Sequence, residues 1–525
     1  MKKKITFVVS IIGVITQTFA QNDTAAAYFS GLIKAENLKK YLTVLASDEF
    51  EGRETGTAGH TKTINYLSDF YTETGLDKAL EKDNYFQSYN ISLLGPDGMN
   101  VSIGKTKYEF MKDYYYFPGF EDVKIKTKNI IFCGYGIEDT SKKYNDYREL
   151  EIKQKIVVVL DGEPVDDKGN FLFTGTKETS LWSSNRRLKL EQAKKRGAEA
   201  LFVIVDNIEE KIKKYRHNIE KPQATLEKTK QESKTDKRIP VVYISKKMAA
   251  ELFEEKELEQ WKIKREKTPT ALGKELTLTL NRKQVLQTAE NVIALVKGSE
   301  KPEEVIVLSA HLDHLGKHGE KIYYGADDDG SGTSAIMELA RAFKQAEKNG
   351  YRPKRSVMFI NFSGEEKGLL GSQYYSDNPV FPLNNTVANL NIDMIGRLDK
   401  DHANNPNYTY IIGSDKLSSE LHSINEEANK KQVKIDLDYT YNQPNDPNRF
   451  YYRSDHYNFA KHNVPVIFYF TGVHEDYHQP TDTVDKIDFN KMEKITKLVF
   501  LTAWELANRK EKIRVDKTSD MPASR

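Results

Sequence analysis

The sequence predicts an α/β fold, a mixed and mainly parallel sheet covered by helices, with a second, β-rich unit inserted into it. Three observations predict this. Over residues 281–510, short apolar runs alternate with helix-period stretches, the pattern of buried strands that carry helices on both faces. Over residues 96–280 the apolar runs are again short, with turn residues on either side, the texture of a separate β-rich unit. The chain has 525 residues, which at roughly 150 per domain leaves room for two to four domains.

The elements follow in chain order. Lys2, Lys3 and Lys4 precede an apolar stretch from Ile5 to Ile15, and Thr18 and Ala20 supply small residues before Gln21. Residues 1–20 therefore read as a signal peptide, and the expected location is outside the cytoplasm, periplasmic or extracellular. The apolar run is too short to span ~30 Å of hydrocarbon, and no later run approaches that length, so stable membrane insertion is not expected. Residues 28–95 form the N-terminal part of the main domain. In it Leu42, Leu45, Ile64, Leu67 and Phe70 fall at helix-compatible spacings. The polar stretch between them, Ser47 to Gly56, reads as a solvated loop.

Within 96–280, strands are expected at Asn129–Cys133, Lys155–Leu160, Ala198–Val205 and Ile239–Ile244. Residues 206–238 are rich in Lys, Glu and Gln and read as a solvated helical hairpin or mobile excursion. Cys133, the one cysteine, excludes an intramolecular disulfide and sits in an apolar run as a buried side chain. In the main region strands are expected at Asn291–Val296, Val305–Ser309, Val357–Phe362, Leu390–Ile392 and Val464–Phe470. Helices follow Ser331 and run near Phe489–Leu506. From Arg509, and over the tail 511–525, the chain reads as charged and frayed.

Composition narrows the function classes. Hydrophobic residues make up 38% and charged residues 30%, enough for a packed core. The formal net charge is only +2 and the basic residues are spread out, so a nucleic-acid partner is not expected.

The informative pattern is where acids and histidines fall. His311 and Asp313 follow one expected strand, and Asp327, Asp328 and Asp329 lie in a Gly-flanked loop before a helix. Glu365 and Glu366 follow a second strand, Asp393 closes a third, and Tyr477 and His478 come after a fourth. In open α/β sheets the crevice at the carboxyl ends of strands is where ligands bind. Two imidazoles and three carboxylates suit zinc or a neighbouring divalent metal better than Ca²⁺ or Mg²⁺. Five ligands are too many for one tetrahedral ion but suit two sharing a carboxylate. His311, Asp393 and bridging Asp328 would hold one, and Glu366, His478 and the same Asp328 the other. Asp313 would accept the second N–H of His311 and fix its tautomer. Glu365, adjacent to a ligand and not needed for coordination, would be the general base on a metal-activated water.

Residues 474–478 match H-E-x-x-H, but that motif works only on a helix. A strand and Gly472 precede it and Pro480 follows, so a helix is not expected, and His474 reads as incidental. No G-x-S-x-G elbow is present, and Gly330-Ser-Gly332 lacks the lysine of a phosphate loop.

These segments resemble a known family, the co-catalytic dizinc aminopeptidases related to glutamate carboxypeptidase and the transferrin receptor. The resemblance rests on Ser-Ala-His311-Leu-Asp-His, Gly-Ala-Asp-Asp328-Asp-Gly-Ser-Gly, Phe-Ser-Gly-Glu365-Glu366, Asn-Ile-Asp393-Met-Ile-Gly and Asp-Tyr477-His478-Gln-Pro-Thr-Asp. It implies a three-layer α/β/α zinc-peptidase domain holding two zinc ions per chain and acting on peptide substrates. It also implies a cis peptide at Asp328–Asp329, an oxyanion role for Tyr477 and a substrate contact for Arg453. Phe132-Cys-Gly-Tyr-Gly-Ile and Lys155-Ile-Val-Val-Val-Leu-Asp-Gly-Glu-Pro resemble the family's inserted protease-associated domain. An aminopeptidase is the expected activity. A carboxypeptidase or N-acyl amidohydrolase of the same fold, or a non-catalytic receptor-like protein, stays open, as does the oligomeric state.

Overall fold

The computed structural model describes residues 23–80, 84–117, 122–220, 222–227 and 239–518. The expected signal peptide, residues 228–238 of the charged stretch and residues 519–525 of the tail lie outside them. The chain divides into two compact units, one formed by residues 1–91 and 287–525 and the other by Ser92–Leu286. The division falls inside two long strands, Phe86–Ile103 and Leu276–Val296.

The first unit is built on a mixed sheet. Its neighbouring strands run Phe86–Ile103, Leu276–Val296, Arg355–Phe362, Lys301–His311, Thr386–Ile392, Val466–Phe470, Tyr408–Ile412 and Asp436–Asp438. The middle four, Arg355–Phe362, Lys301–His311, Thr386–Ile392 and Val466–Phe470, pair in parallel. Leu276–Val296 and Tyr408–Ile412 flank them antiparallel. Three of these strands are buried along their whole length and Lys301–His311 is buried from Val305 on, which is why they read as apolar runs.

Alternation of side chains along each strand sends residues to two cores. On one face Ile306, Leu308 and Ala310 join the helices Ala35–Leu45, Ala58–Thr74, Gly332–Lys348 and Phe489–Asn508. On the other, Val305 and Val307 join Tyr375 and Phe459, carried by Leu370–Asp377 and His456–Ala460. The result is the three-layer α/β/α arrangement expected from the sequence. Helix Gly332–Lys348 buries Ile336, Leu339, Ala340 and Phe343 as their spacing predicts. Helix Ala58–Thr74 starts where the Thr57 side chain accepts the His60 N–H, and it stops at Gly75, φ +82°.

The second unit holds a five-stranded sheet ordered Tyr114–Tyr116, Val241–Ser245, Ala200–Val205, Ile156–Leu160 and Ile130–Phe132. All its pairs are parallel except the one made by Tyr114–Tyr116. Cys133 is 1% exposed, and burial pushes its thiol up to about 12, so it is an inert core side chain.

Three expectations need correction. Ser47–Gly56 is not a solvated loop, because Arg53 and Thr55 are fully buried. The charged stretch is not simply solvated, because Ile208–Glu220 is a helix that buries Ile212 and Ile219. The segment after Arg509 is not frayed throughout. Ile513 is buried in the main core, and Asp516 accepts the backbone N–H of Ser419 at 2.9 Å. Periodicity registers only how a segment patterns against itself, and each of these is tied down by a distant partner. Among the described residues, no helix is long and apolar enough to cross a membrane.

Candidate metal centre and active site

The four parallel central strands deliver their polar residues to one edge of the sheet. His311 is the last residue of Lys301–His311, Asp393 directly follows Thr386–Ile392, and Glu365 and Glu366 come just after Arg355–Phe362. The turn Ala326–Ser331 contributes Asp328, and the irregular segment after Val466–Phe470 contributes Tyr477 and His478. Residues 474–478 are not helical, so His474 and His478 do not share a helix face.

Asp328 sits at the middle of the cluster, and its two carboxylate oxygens face opposite ways. Oδ1 lies 3.3 Å from His311 Nε2, which is itself 3.6 Å from Asp393 Oδ1. Oδ2 lies 3.1 Å from His478 Nε2, which is 3.3 Å from Glu366 Oε1. The five side chains singled out as ligands therefore meet around one carboxylate. The peptide bond between Asp328 and Asp329 is cis.

Two further residues stand among them. His314 Nδ1 is 3.0 Å from Glu366 Oε1 and 3.7 Å from Asp328 Oδ2, and the ring is completely enclosed. The sequence reading passed over it, although it lies only three residues past His311 in the same quoted segment. Asp329 joins His311 and Asp393 in one group of close metal-capable donors, as His314 joins Asp328 and Glu366 in another. Its oxygens are already engaged, taking the backbone N–H groups of His311 at 3.1 Å, Gly332 at 2.8 Å and Met394 at 3.2 Å. Asp329 is thus a backbone organiser.

The supporting contacts differ from expectation at Asp313 and His474. The His311 ring meets Asp313 through its backbone carbonyl, 3.0 Å from Nδ1. The Asp313 carboxylate instead accepts the Thr55 hydroxyl at 2.8 Å and the Glu365 N–H at 3.2 Å. A strand that ends at His311 turns the carbonyl two residues on back toward the ring, a detail of local backbone path that residue spacing does not carry. His474 is not incidental. It is buried, with Nε2 3.2 Å from Asp327 Oδ2, while Asp327 Oδ1 accepts the Gly396 N–H at 2.6 Å. Asp482 accepts the N–H groups of Asp327 and Asp328. Ser454 donates to Asp393 at 2.7 Å. The acids around Asp328 are held by hydrogen bonds on their outer sides, which fixes where the inner oxygens point.

Charge follows from this crowding. Burial opposes ionisation of Asp328, but the imidazoles of His314, His311 and His478 outweigh it and hold the carboxyl well below the usual range. For His478 burial again works against the charged form, and Asp328 and Glu366 overcome it, raising the ring to about 10. Burial pushes the Glu365 carboxyl well above the usual carboxylate range; Glu366 and Asp393 push it further, and His311 opposes them. Glu366 Oε1 and both ring nitrogens of His314 are buried, and although Nδ1 lies 3.0 Å from Oε1 neither residue makes a well-aligned hydrogen bond at these atoms. Acidic and imidazole donors converge, some of them with unfilled lone pairs, as the donor set of a transition-metal site requires.

Beside the cluster lies a pocket. Its floor is made by donors already named, and its wall by Met394, Phe450, Phe468, Phe470 and Val473. Tyr477 and Arg453 line it as well. The Tyr477 ring stacks on His478 with centroids 3.8 Å apart, and the exposed Arg453 guanidinium lies over the Phe450 ring and 3.5 Å from the Tyr477 hydroxyl.

Residues 291–503 match the model of peptidase family M28. That segment is similar to the M28 peptidases. The matched segment holds all five clustered donors. A probable leucine aminopeptidase of Arthroderma otae is 33% identical over 224 residues, 41% of this chain and 57% of that protein. A probable glutamate carboxypeptidase of Arabidopsis thaliana is 33% identical over 119 residues, 22% of this chain and 16% of that protein. The chain thus spans about half, or much less, of the length of these curated relatives. Among solved structures, an aminopeptidase from Aneurinibacillus sp. strain AM-1 superposes with a TM-score of 0.54 at 17% identity, covering 94% of this chain and 98% of that one. That similarity extends the fold relationship beyond the M28 segment to nearly the whole chain.

Proposed function

We propose that this protein is a zinc-dependent exopeptidase, an aminopeptidase that removes an apolar residue from the free amino end of a peptide. The observation that carries the reading is Asp328, whose two oxygens face separate donor groups, with Glu365 adjacent but free of either. His311, Asp393 and Asp328 would hold one zinc ion and Glu366, His478 and Asp328 a second, with His314 buried against the latter pair. Zinc held there supplies Lewis acidity and water whose pKa lies near 7.

The side chains do the rest. Glu365, whose burial raises its affinity for a proton, would in its ionised form take a proton from the attacking water and then hand it to the leaving amine. General acid–base catalysis of this kind is worth roughly 10²–10⁴-fold. The Tyr477 hydroxyl donates to the oxyanion that develops on the scissile carbonyl. The apolar wall of Met394, Phe468, Phe470 and Val473 receives the side chain beside the cleaved bond, and its burial excludes water from the reacting atoms. The signal-like residues 1–20 support export to the periplasm or beyond. On resemblance, the unit Ser92–Leu286 is taken as a protease-associated-like insert.

Arg453 favours a second reading. A guanidinium at the pocket, beside the Tyr477 hydroxyl, suits a terminal carboxylate, as a carboxypeptidase needs. Peptides with a free or blocked amino end separate the two: hydrolysis of the free-amine peptide alone supports the aminopeptidase. Glu365→Gln should lower kcat at least 100-fold with zinc content unchanged, and a variant near wild-type turnover would end the assignment.

A further inference from the structure

The segment Arg53-Glu54-Thr55, buried at Arg53 and Thr55, lies more than 250 residues from the loops it touches, as the separations of its hydrogen-bond partners show. It reaches three of the five segments that carry the donors, those of His311, Asp328 and Glu366. Arg53 is fully buried, and its guanidinium donates only to backbone carbonyls: Leu312 at 2.9 Å, Leu45 at 2.9 Å, Tyr324 at 2.7 Å and Gly325 at 2.8 Å. Glu54 Oε1 is 2.7 Å from the Lys367 ammonium. The backbone must come close to do this. A Cβ on Gly52, φ +69°, would lie 2.3 Å from the Tyr323 carbonyl oxygen.

Thr55 makes the most specific contact. Its hydroxyl donates to Asp313 Oδ2 at 2.8 Å and accepts the Gly364 N–H at 2.8 Å. The other oxygen of Asp313 accepts the next N–H in the chain, that of Glu365, at 3.2 Å. Two consecutive N–H groups of the Gly364–Glu365 turn are thereby tied to one Thr–Asp pair. A valine would fill the same volume and could make neither bond, so packing alone does not account for the hydroxyl.

We propose that Thr55 is a positioning residue for the Glu365–Glu366 turn, locking its backbone through Asp313 so that Glu366 faces His478 and Glu365 stays in register with the reacting water. This rests on the roles given to Glu365 and Glu366 above. Partners that orient metal ligands typically change metal affinity or activity by about 10–100-fold when removed.

The test compares Thr55→Val and Thr55→Ser with wild type in the full chain. Three quantities are read: kcat and KM on a leucyl chromogenic substrate, zinc release to a chromophoric chelator, and the thermal midpoint. Thr55→Val should lower kcat at least 10-fold with KM within about 3-fold, and should release zinc at about 10-fold lower chelator concentration. Thr55→Ser should restore both to within about 3-fold of wild type. A merely structural Thr55 would shift the midpoint alone, and that result overturns the proposal, as does a deficit in Thr55→Ser equal to that of Thr55→Val. Should Thr55→Val not fold, Thr55→Ala is read by the same criteria. A zinc-binding wild type that cleaves no peptide refutes the peptidase reading while the chelator comparison still decides Thr55, whereas a wild type that binds no zinc refutes both.

Discussion

His456 links burial to acid sensitivity in a form that can be measured. The ring is 0% exposed and stacks on Phe468 with centroids 4.7 Å apart. Burial depresses its pKa to about 3, against an ordinary value near 6.5. The folded state therefore holds the ring neutral at pH values where the unfolded chain protonates it. Between about pH 6.5 and pH 3 the unfolded state binds the extra proton, so stability falls as pH falls. At about 1.36 kcal/mol per unit, this one ring removes ~2 kcal/mol by pH 5 and about 3 kcal/mol by pH 4, relative to pH 8. His456→Phe keeps an aromatic ring over Phe468 and abolishes the titration. It carries a packing cost of about 1–3 kcal/mol at every pH, so the difference in slope is the readout, not the absolute stability. Urea unfolding at pH 8, 6 and 5, followed by tryptophan fluorescence, gives both slopes. The variant should lose ~2 kcal/mol less than wild type between pH 8 and pH 5. Equal losses would refute the claim that a buried neutral His456 contributes to acid lability.

Three other perturbations probe the rest of the molecule. Arg53→Met leaves four buried carbonyls without their donor and should cost at least about 3 kcal/mol in urea unfolding; a surface-loop value of about 0.5 kcal/mol would contradict its burial. Removing metal with a chelator should lower the thermal midpoint, and zinc at about 100 times its Kd should restore ~2.7 kcal/mol, whereas Ca²⁺ or Mg²⁺ should not; no response to zinc would count against the donor cluster as a zinc site. Phe470, 2% exposed in the pocket wall, should discriminate side-chain size. At about 0.8 kcal/mol per buried carbon, the three extra carbons of leucine should make wild type prefer leucyl over alanyl substrates ~60-fold in kcat/KM, and Phe470→Ala should erode that ratio about 10-fold. A ratio unchanged in the variant would move the substrate side chain elsewhere.

What the sequence revealed and what it concealed divide along the range of the interactions involved. A buried parallel strand must be apolar throughout, and the polar residue that ends it must sit at the sheet edge, so the strands and His311, Glu366 and Asp393 could be placed from local pattern alone. The strand Tyr408–Ile412 is harder to read, because it follows Pro406 and Asn407 and interleaves Tyr with Thr, a texture shared with loops. His314 was overlooked because its partners, Glu366 and Asp328, come from other strand ends and nothing beside it in sequence marks the ring as enclosed. Arg53 and Thr55 show the limit most sharply. Arginine and threonine in a Gly-containing polar stretch ordinarily face water, since burying a guanidinium without satisfying it is costly. Here Arg53 finds four carbonyls and Thr55 a carboxylate and an N–H, all but the Leu45 carbonyl supplied by segments more than 250 residues away. Only a fold that already exists can make such a burial affordable, so a polar stretch whose local texture says loop can be part of the framework on which the donor cluster is built.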